Sequence, residues 1–173
     1  ALGGNYEVIL VDDGSVDETP DIISRAHVRN NRIKLLQFSR NFGQVYAIRA
    51  GLKHAKGDVV VLMDGDLQDK PEEIPKLLAK LNEGFDIAYA NRALRRDSLY
   101  RRASSHLFVS VMRFIVPSHE LPNGYEMMFA GIFRAMRRPV VDALNTLPER
   151  TVYIQGLMYW VGFSRAIVDV EHG

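Results

Sequence analysis

The sequence predicts an α/β fold: a doubly wound, mostly parallel sheet with helices on both faces. Three observations carry that expectation. Period-2 and period-3.6 apolar patterns alternate from about residue 5 to residue 92, the arrangement that produces crossover units and a parallel sheet. The strand-like runs are almost continuously apolar, as strands covered on both faces are. Each run also ends in a short polar stretch before the next element begins.

Tyr6 to Val11 is the first run, and Asp12-Asp13-Gly14-Ser15 ends it. Thr19-Pro20-Asp21 then supplies an N-cap, a proline in the first turn and an acid near the positive end of a helix dipole. Ile22, Ile23 and Ala26 follow at helical spacing. Ile33 to Phe38 predicts the second strand, Gln44 to Ala55 a helix closed by Gly57, and Asp58 to Met63 the third strand. Asp69 with Glu72 resembles a capping box, with Pro71 in the first turn, so Asp69 is expected to cap the next helix. Ile74, Leu77, Leu78 and Leu81 form its apolar stripe, and Gly84 ends it. Asp86 to Ala90 is the fourth strand.

Beyond Arg92 the pattern changes. Leu99 to Val116 interleaves Arg101, Arg102, His106 and Arg113 with Leu107, Phe108, Val111, Met112, Phe114 and Ile115. This is an amphipathic helix with a cationic side, suited either to packing on the sheet or to lying at a membrane surface. Pro117 to Asn123 is a loop, Arg138 to Leu147 a helix, and Tyr153 to Phe163 an apolar segment holding the single tryptophan, Trp160.

The 173 residues are enough for one domain with a substantial core. A formal net charge of +1 supplies no global field for gathering nucleic acid. With no cysteine, disulfides, thiolate metal sites and cysteine nucleophiles are excluded. No apolar run reaches the roughly 18 residues that a bilayer span needs, and the N-terminus does not read as a signal peptide.

In an open parallel sheet, ligands bind beyond the carboxyl ends of the strands. Asp12-Asp13 follows the first strand and Ser39-Arg40-Asn41 the second; Asp64, Asp66 and Gln68 follow the third and Asn91-Arg92 the fourth. A turn or cap explains any single polar strand end. Four that coincide predict a binding crevice. The two-residue spacing of Asp64, Asp66 and Gln68 would bring three oxygen donors to one side of extended backbone. Such donors suit Mg²⁺ or Mn²⁺ rather than zinc. Neither a dinucleotide-binding nor a P-loop glycine pattern occurs, and no nucleophile elbow is present.

The stretches VILVDDGSVDETPDI, SRNFGQVYAIRAGLKHAKGDVVVLMDGDLQDKPEEIPKLL and FRAMRRPVVDAL resemble inverting nucleotide-sugar glycosyltransferases. The type is that of dolichol-phosphate mannose synthase and the polyprenyl-phosphate glycosyltransferases. The resemblance covers most of the chain, and DGDLQD is its most specific block. It implies a GT-A fold over residues 1–173 as a single catalytic domain, without the family's first strand and its C-terminal membrane region. It also implies a GDP- or UDP-sugar donor and a polyprenyl (dolichyl or undecaprenyl) phosphate acceptor. The implied location is the cytoplasmic face of a membrane, peripheral or anchored by segments outside this chain.

By motif match, Asp64, Asp66 and Gln68 would bind Mg²⁺ or Mn²⁺ and the donor diphosphate, with Asp66 in a catalytic role. Asp12, Asp13, Arg40 and Asn41 would lie near the nucleotide. Arg92, and Arg101 or Arg102, would meet phosphate charge, Arg92 catalytically, and Arg134 would act near the acceptor. The physics agrees, because transfer builds negative charge on the leaving diphosphate, which a dication and arginines offset. Many family members carry an aspartate just before the G-x-F-R stretch, where this chain has Met128 and Phe129. Glu126 is the nearest acid. Two other readings remain open at this point: a receiver-type phospho-acceptor domain and a transferase that binds without turnover.

Overall fold

The computed structural model describes residues 5–91, 131–147 and 162–171. In chain order the elements are β1 (Val8–Asp12), α1 (Thr19–Arg29), β2 (Ile33–Gln37), α2 (Gln44–His54) and β3 (Val59–Leu62). A 3₁₀ turn (Pro71–Glu73) leads into α3 (Ile74–Asn82) and β4 (Ile87–Asn91). After residue 131 come β5 (Arg134–Arg137), α4 (Arg138–Thr146) and β6 (Arg165–Asp169). The first four strands and three helices match expectation to within a residue or two. Neither β5 nor β6 was foreseen.

Strand neighbours are more mixed than a simple parallel sheet. β1 and β2 pair in parallel, with Val8 opposite Ile33 and Asp12 opposite Gln37. The other four strands form a second sheet in the order β3-β5-β4-β6. β5 runs antiparallel to both β3 and β4, and β6 is parallel to β4. β3, β4 and β6 therefore share one direction, and β5 enters from the edge where β3 and β4 end. Its first residue, Arg134, lies opposite Leu62 on one side and Tyr89 on the other.

Alternation along β4 explains the layering. Ile87 and Tyr89 point to one face and Ala88 and Ala90 to the other, as successive strand residues must. On the first face they join Met136, Leu52 of α2 and Val140, Val141 and Leu144 of α4, with Val60 and Leu62 packed alongside. On the second face Ala88, Ala90, Ala135, Phe133 and Val168 receive Ile74, Leu77 and Leu81 of α3. Small residues from the sheet here meet large ones from the helix, which lets α3 sit close. Helices thus cover both faces, as the sequence predicts.

Three local expectations fail. Thr19 opens α1 rather than capping it: Glu18 holds the cap position with no side-chain bond, and the Thr19 backbone N–H donates to Asp17 Oδ1 at 3.0 Å. Asp69 does not cap the following helix: Lys70 holds the cap position of the 3₁₀ turn, with no side-chain cap bond. Instead the Asp69 side chain turns inward, 4% exposed, and its Oδ2 lies 3.5 Å from the Asp64 backbone N–H. The proline at 71 removes one of the amide donors that a cap would have served. Nor is the segment after β3 extended. Residues 65–67 bend, and Leu67 takes φ of +65°. The basic helix of residues 99–116, the loop of 117–123, Glu126, Met128 and Phe129, and most of 153–163 with Trp160 lie outside the described residues.

Candidate functional site

The polar ends of β1, β2 and β3 converge, whereas Asn91 at the end of β4 donates its Nδ2–H to Asp169 Oδ1 of β6 at 2.7 Å. Asp12 closes β1 and is 5% exposed; its Oδ2 accepts from the Ser15 backbone N–H at 3.2 Å, tightening the turn after the strand. Asp13 reaches further. Its two carboxylate oxygens accept from the backbone N–H groups of Phe42 and Gly43 at 2.8 and 2.9 Å. Those amides precede α2, where helix geometry leaves donors without internal partners. The positive end of the helix dipole also favours a carboxylate there. Asp13 therefore ties the loop after β1 to the start of α2.

The same two loops meet again at Gly14. A Cβ on this residue would lie 2.4 Å from the Arg40 carbonyl carbon and 2.7 Å from both Arg40 Cα and Asn41 N. Its φ of +79° is also in the region that side chains disfavour. Only glycine lets the Asp12–Asp13 turn and the Arg40–Asn41 turn touch. The Arg40 guanidinium carbon stands 4.4 Å from the Phe42 ring centroid, a cation–π contact at the same corner. Asp12, Asp13, Arg40 and Asn41, expected together from their places in sequence, are thus brought together.

From this corner α2 leads to the acids after β3. Gln44, the first residue of α2, donates its Nε2–H to Asp64 Oδ1 at 3.2 Å. Asp64 is half-buried and is also approached by Asp69 at its own backbone N–H. Asp66 is exposed, and its Oδ1 accepts from the Gln68 backbone N–H at 3.0 Å. The bend at 65–67 thus corrects the expectation that Asp64, Asp66 and Gln68 share one side of extended backbone. Asp66 and Gln68 are linked through a tight turn of their own, next to Asp64.

Among the described residues, no group of three or more His, Cys, Asp or Glu side chains could by itself hold a metal ion. The donor set at Asp64, Asp66 and Gln68 is nonetheless all hard oxygen. It fits a dication such as Mg²⁺, which takes one or two protein carboxylates and leaves its other positions to water and substrate phosphates. A closed all-protein cage is not what these residues form.

Arg134 is 1% exposed. Its Nε donates to the Ile132 carbonyl at 2.9 Å and one terminal nitrogen to the Gly131 carbonyl at 2.8 Å. Its guanidinium carbon is 4.9 Å from the Tyr89 ring centroid. Burial pushes the Tyr89 hydroxyl above its ordinary range, and the nearby charge of Arg134 opposes that rise. Arg134 is thus packed inside the sheet edge and holds the turn that enters β5. Arg92, Arg101 and Arg102 lie outside the described residues.

Gln44 and the buried Asp69 are the members of this site that sequence reading missed as such. Gln44 is separated from Asp64 by 20 residues, and its one signal was its place at the start of a helix whose N-terminus faces the carboxyl edge.

The model for glycosyl transferase family 2 matches residues 2–144. A glycosyltransferase of Synechocystis sp. is 39% identical over 164 residues, covering 94% of this chain and 50% of its own length. The undecaprenyl-phosphate 4-deoxy-4-formamido-L-arabinose transferase of Aeromonas hydrophila is 38% identical over 174 residues, covering 99% of this chain and 51% of the relative. The chain thus spans about half the length of these curated relatives. Among solved structures, the mannosyltransferase PcManGT of Pyrobaculum calidifontis, in complex with GDP-Man and Mn²⁺, aligns with a TM-score of 0.61 at 19% identity. That alignment covers 94% of this chain and 45% of the mannosyltransferase, a likeness of fold.

Proposed function

The chain belongs to glycosyl transferase family 2, and from that membership we propose that it moves a sugar from a nucleotide-diphosphate donor to a polyprenyl phosphate. The donor is a GDP- or UDP-sugar with a hexose-type glycosyl group. The observation that carries this reading is the run of contacts along the carboxyl edge, from Asp13 through the start of α2 and Gln44 to Asp64 and Asp69. It gathers acids and backbone dipoles where an open α/β sheet binds ligands. The likeness to an undecaprenyl-phosphate 4-deoxy-4-formamido-L-arabinose transferase supports the acceptor class and leaves the sugar to the details of the pocket. The receiver-type alternative gives way to the family membership.

In this reading Asp12, Asp13, Arg40 and Asn41 form the nucleotide side of the crevice. Asp64, Asp66 and Gln68 would hold Mg²⁺ or Mn²⁺, with the remaining positions of the ion left to water and the donor diphosphate. When bound, the dication offsets the negative charge that grows on the leaving group. An acceptor phosphate oxygen attacks the anomeric carbon as the bond from that carbon to the diphosphate oxygen breaks. The leaving nucleoside diphosphate keeps the electron pair, and the configuration inverts. The acceptor is already anionic at neutral pH, so orientation rather than proton removal is the main requirement. Arg92 and Arg101 or Arg102 meet phosphate charge, and Arg134 contributes on the acceptor side through the turn it holds. An acceptor with a lipid tail puts the reaction at a membrane surface, and we set it on the cytoplasmic face.

Calorimetric titration of the full-length protein with GDP- and UDP-sugars, with and without Mn²⁺, tests this. Binding of one sugar nucleotide class that requires Mn²⁺, and its loss in Asp66→Ala, is the expected result. Unchanged titration heat in Asp66→Ala would remove the acid loop from the site.

A further inference from the structure

We propose that Gln44 is a positioning residue for the donor, one that sets the direction of the Asp64 carboxylate. The inference rests on the nucleotide-sugar reading of the site. Gln44 is exposed, so burial does not fix its orientation. Its amide spans from α2 to the loop after β3 and donates to Asp64 Oδ1 at 3.2 Å. The start of α2 is itself fixed, because Asp13 accepts from the Phe42 and Gly43 amides. Gly43, with φ of +99°, lets the chain turn sharply into the helix. On its other side Asp64 is steadied through its backbone N–H by Asp69, a buried acid. Asp64 is therefore held at its carboxylate from α2 and at its main chain by an acid of its own loop. One of those holds, the Gln44 amide, is a side chain that can be removed without touching the core.

An amide suits this task chemically. It donates to a carboxylate without neutralising it, so the full charge of Asp64 stays available to a dication and a diphosphate. A lysine at the same place would donate equally well but would compete with the cation. That contrast supplies the test.

Mn²⁺ binding by the full-length protein, in the presence of GDP or UDP, is measured by titration calorimetry and by the loss of the free-ion electron paramagnetic resonance signal. Gln44→Ala should weaken Mn²⁺-dependent nucleotide binding by about 3- to 10-fold, the scale of one partly exposed hydrogen bond to a charged group. Gln44→Lys should weaken it further. Metal-independent nucleotide binding and the melting temperature should stay as in the wild type for both variants. Wild-type Mn²⁺ affinity in both variants would overturn the proposal. So would a fall in melting temperature that accounts for the lost binding, since that would mark a purely structural role. If the wild-type protein itself binds neither nucleotide with Mn²⁺, the donor reading fails, an outcome separate from the behaviour of the variants.

Discussion

Gly14→Ala would bring a methyl carbon within 2.4 Å of the Arg40 main chain while holding φ near +79°. The left-handed backbone alone costs about 1–2 kcal/mol for an L side chain, and the loops must also part. Gly14→Ala should therefore lower stability in urea denaturation by at least that amount and loosen the corner where the two turns meet. A midpoint equal to the wild type would show that the two turns are not locked by this contact. Other single residues explain where sequence reading succeeded and where it stopped. Asp12, Asp13, Arg40 and Asn41 were legible because each follows directly on an apolar run, and strand ends share an edge. The common orientation inferred for Asp64, Asp66 and Gln68 assumed extended backbone, and the bend ending in Leu67 at φ +65° removes that premise. Arg134 was expected near the acceptor from the resemblance, and nothing in its local sequence signals that it is buried. Its burial depends on carbonyls at 131 and 132 and on the Tyr89 ring, 45 positions away.

Among the elements, α3 is the one whose sequence and packing agree most closely. Its stripe of Ile74, Leu77 and Leu81 at helical spacing is the stripe that the structure buries against Ala88, Ala90, Ala135 and Val168. Leu77 is fully buried, at 0% exposure. Leu77→Ala should cost about 2–5 kcal/mol, the range for a leucine truncated in a close-packed core. Chemical denaturation would measure it, and a cost below about 1 kcal/mol would mean that the layer is loosely packed. By contrast β5 was illegible. Four residues, Arg-Ala-Met-Arg, carry too short a pattern to show period 2, and charges at both ends argue against a central strand. Its arginines are accommodated by main-chain carbonyls: Arg137 donates its Nε to the Phe85 carbonyl at 3.1 Å and also bonds the Leu81 carbonyl. Such partners come from tertiary structure and leave no trace in local spacing.

At the scale of the whole molecule, the sheet is joined through β5. Ala135, at 0% exposure, lies opposite Val61 on one side and Ala88 on the other. Ala135→Asp would bury a carboxylate with no room for water, at a cost of several kcal/mol or more. The expected outcome is loss of the cooperative thermal transition by circular dichroism, because both halves of the four-stranded sheet meet at this residue. Survival of that transition would show that β3 and β4 hold together without β5. The antiparallel insertion also has a consequence in time. β3 and β4 are both present by residue 91, yet they cannot be bridged until residues 134–137 arrive. Closing so long a stretch of chain is entropically costly and slows folding. During synthesis, β1, β2 and the first three helices are free to collapse early. The floor beneath Asp64 and Asn91 is completed only when a strand made dozens of residues later slides in between, so ligand competence is expected to be a late event on the folding route.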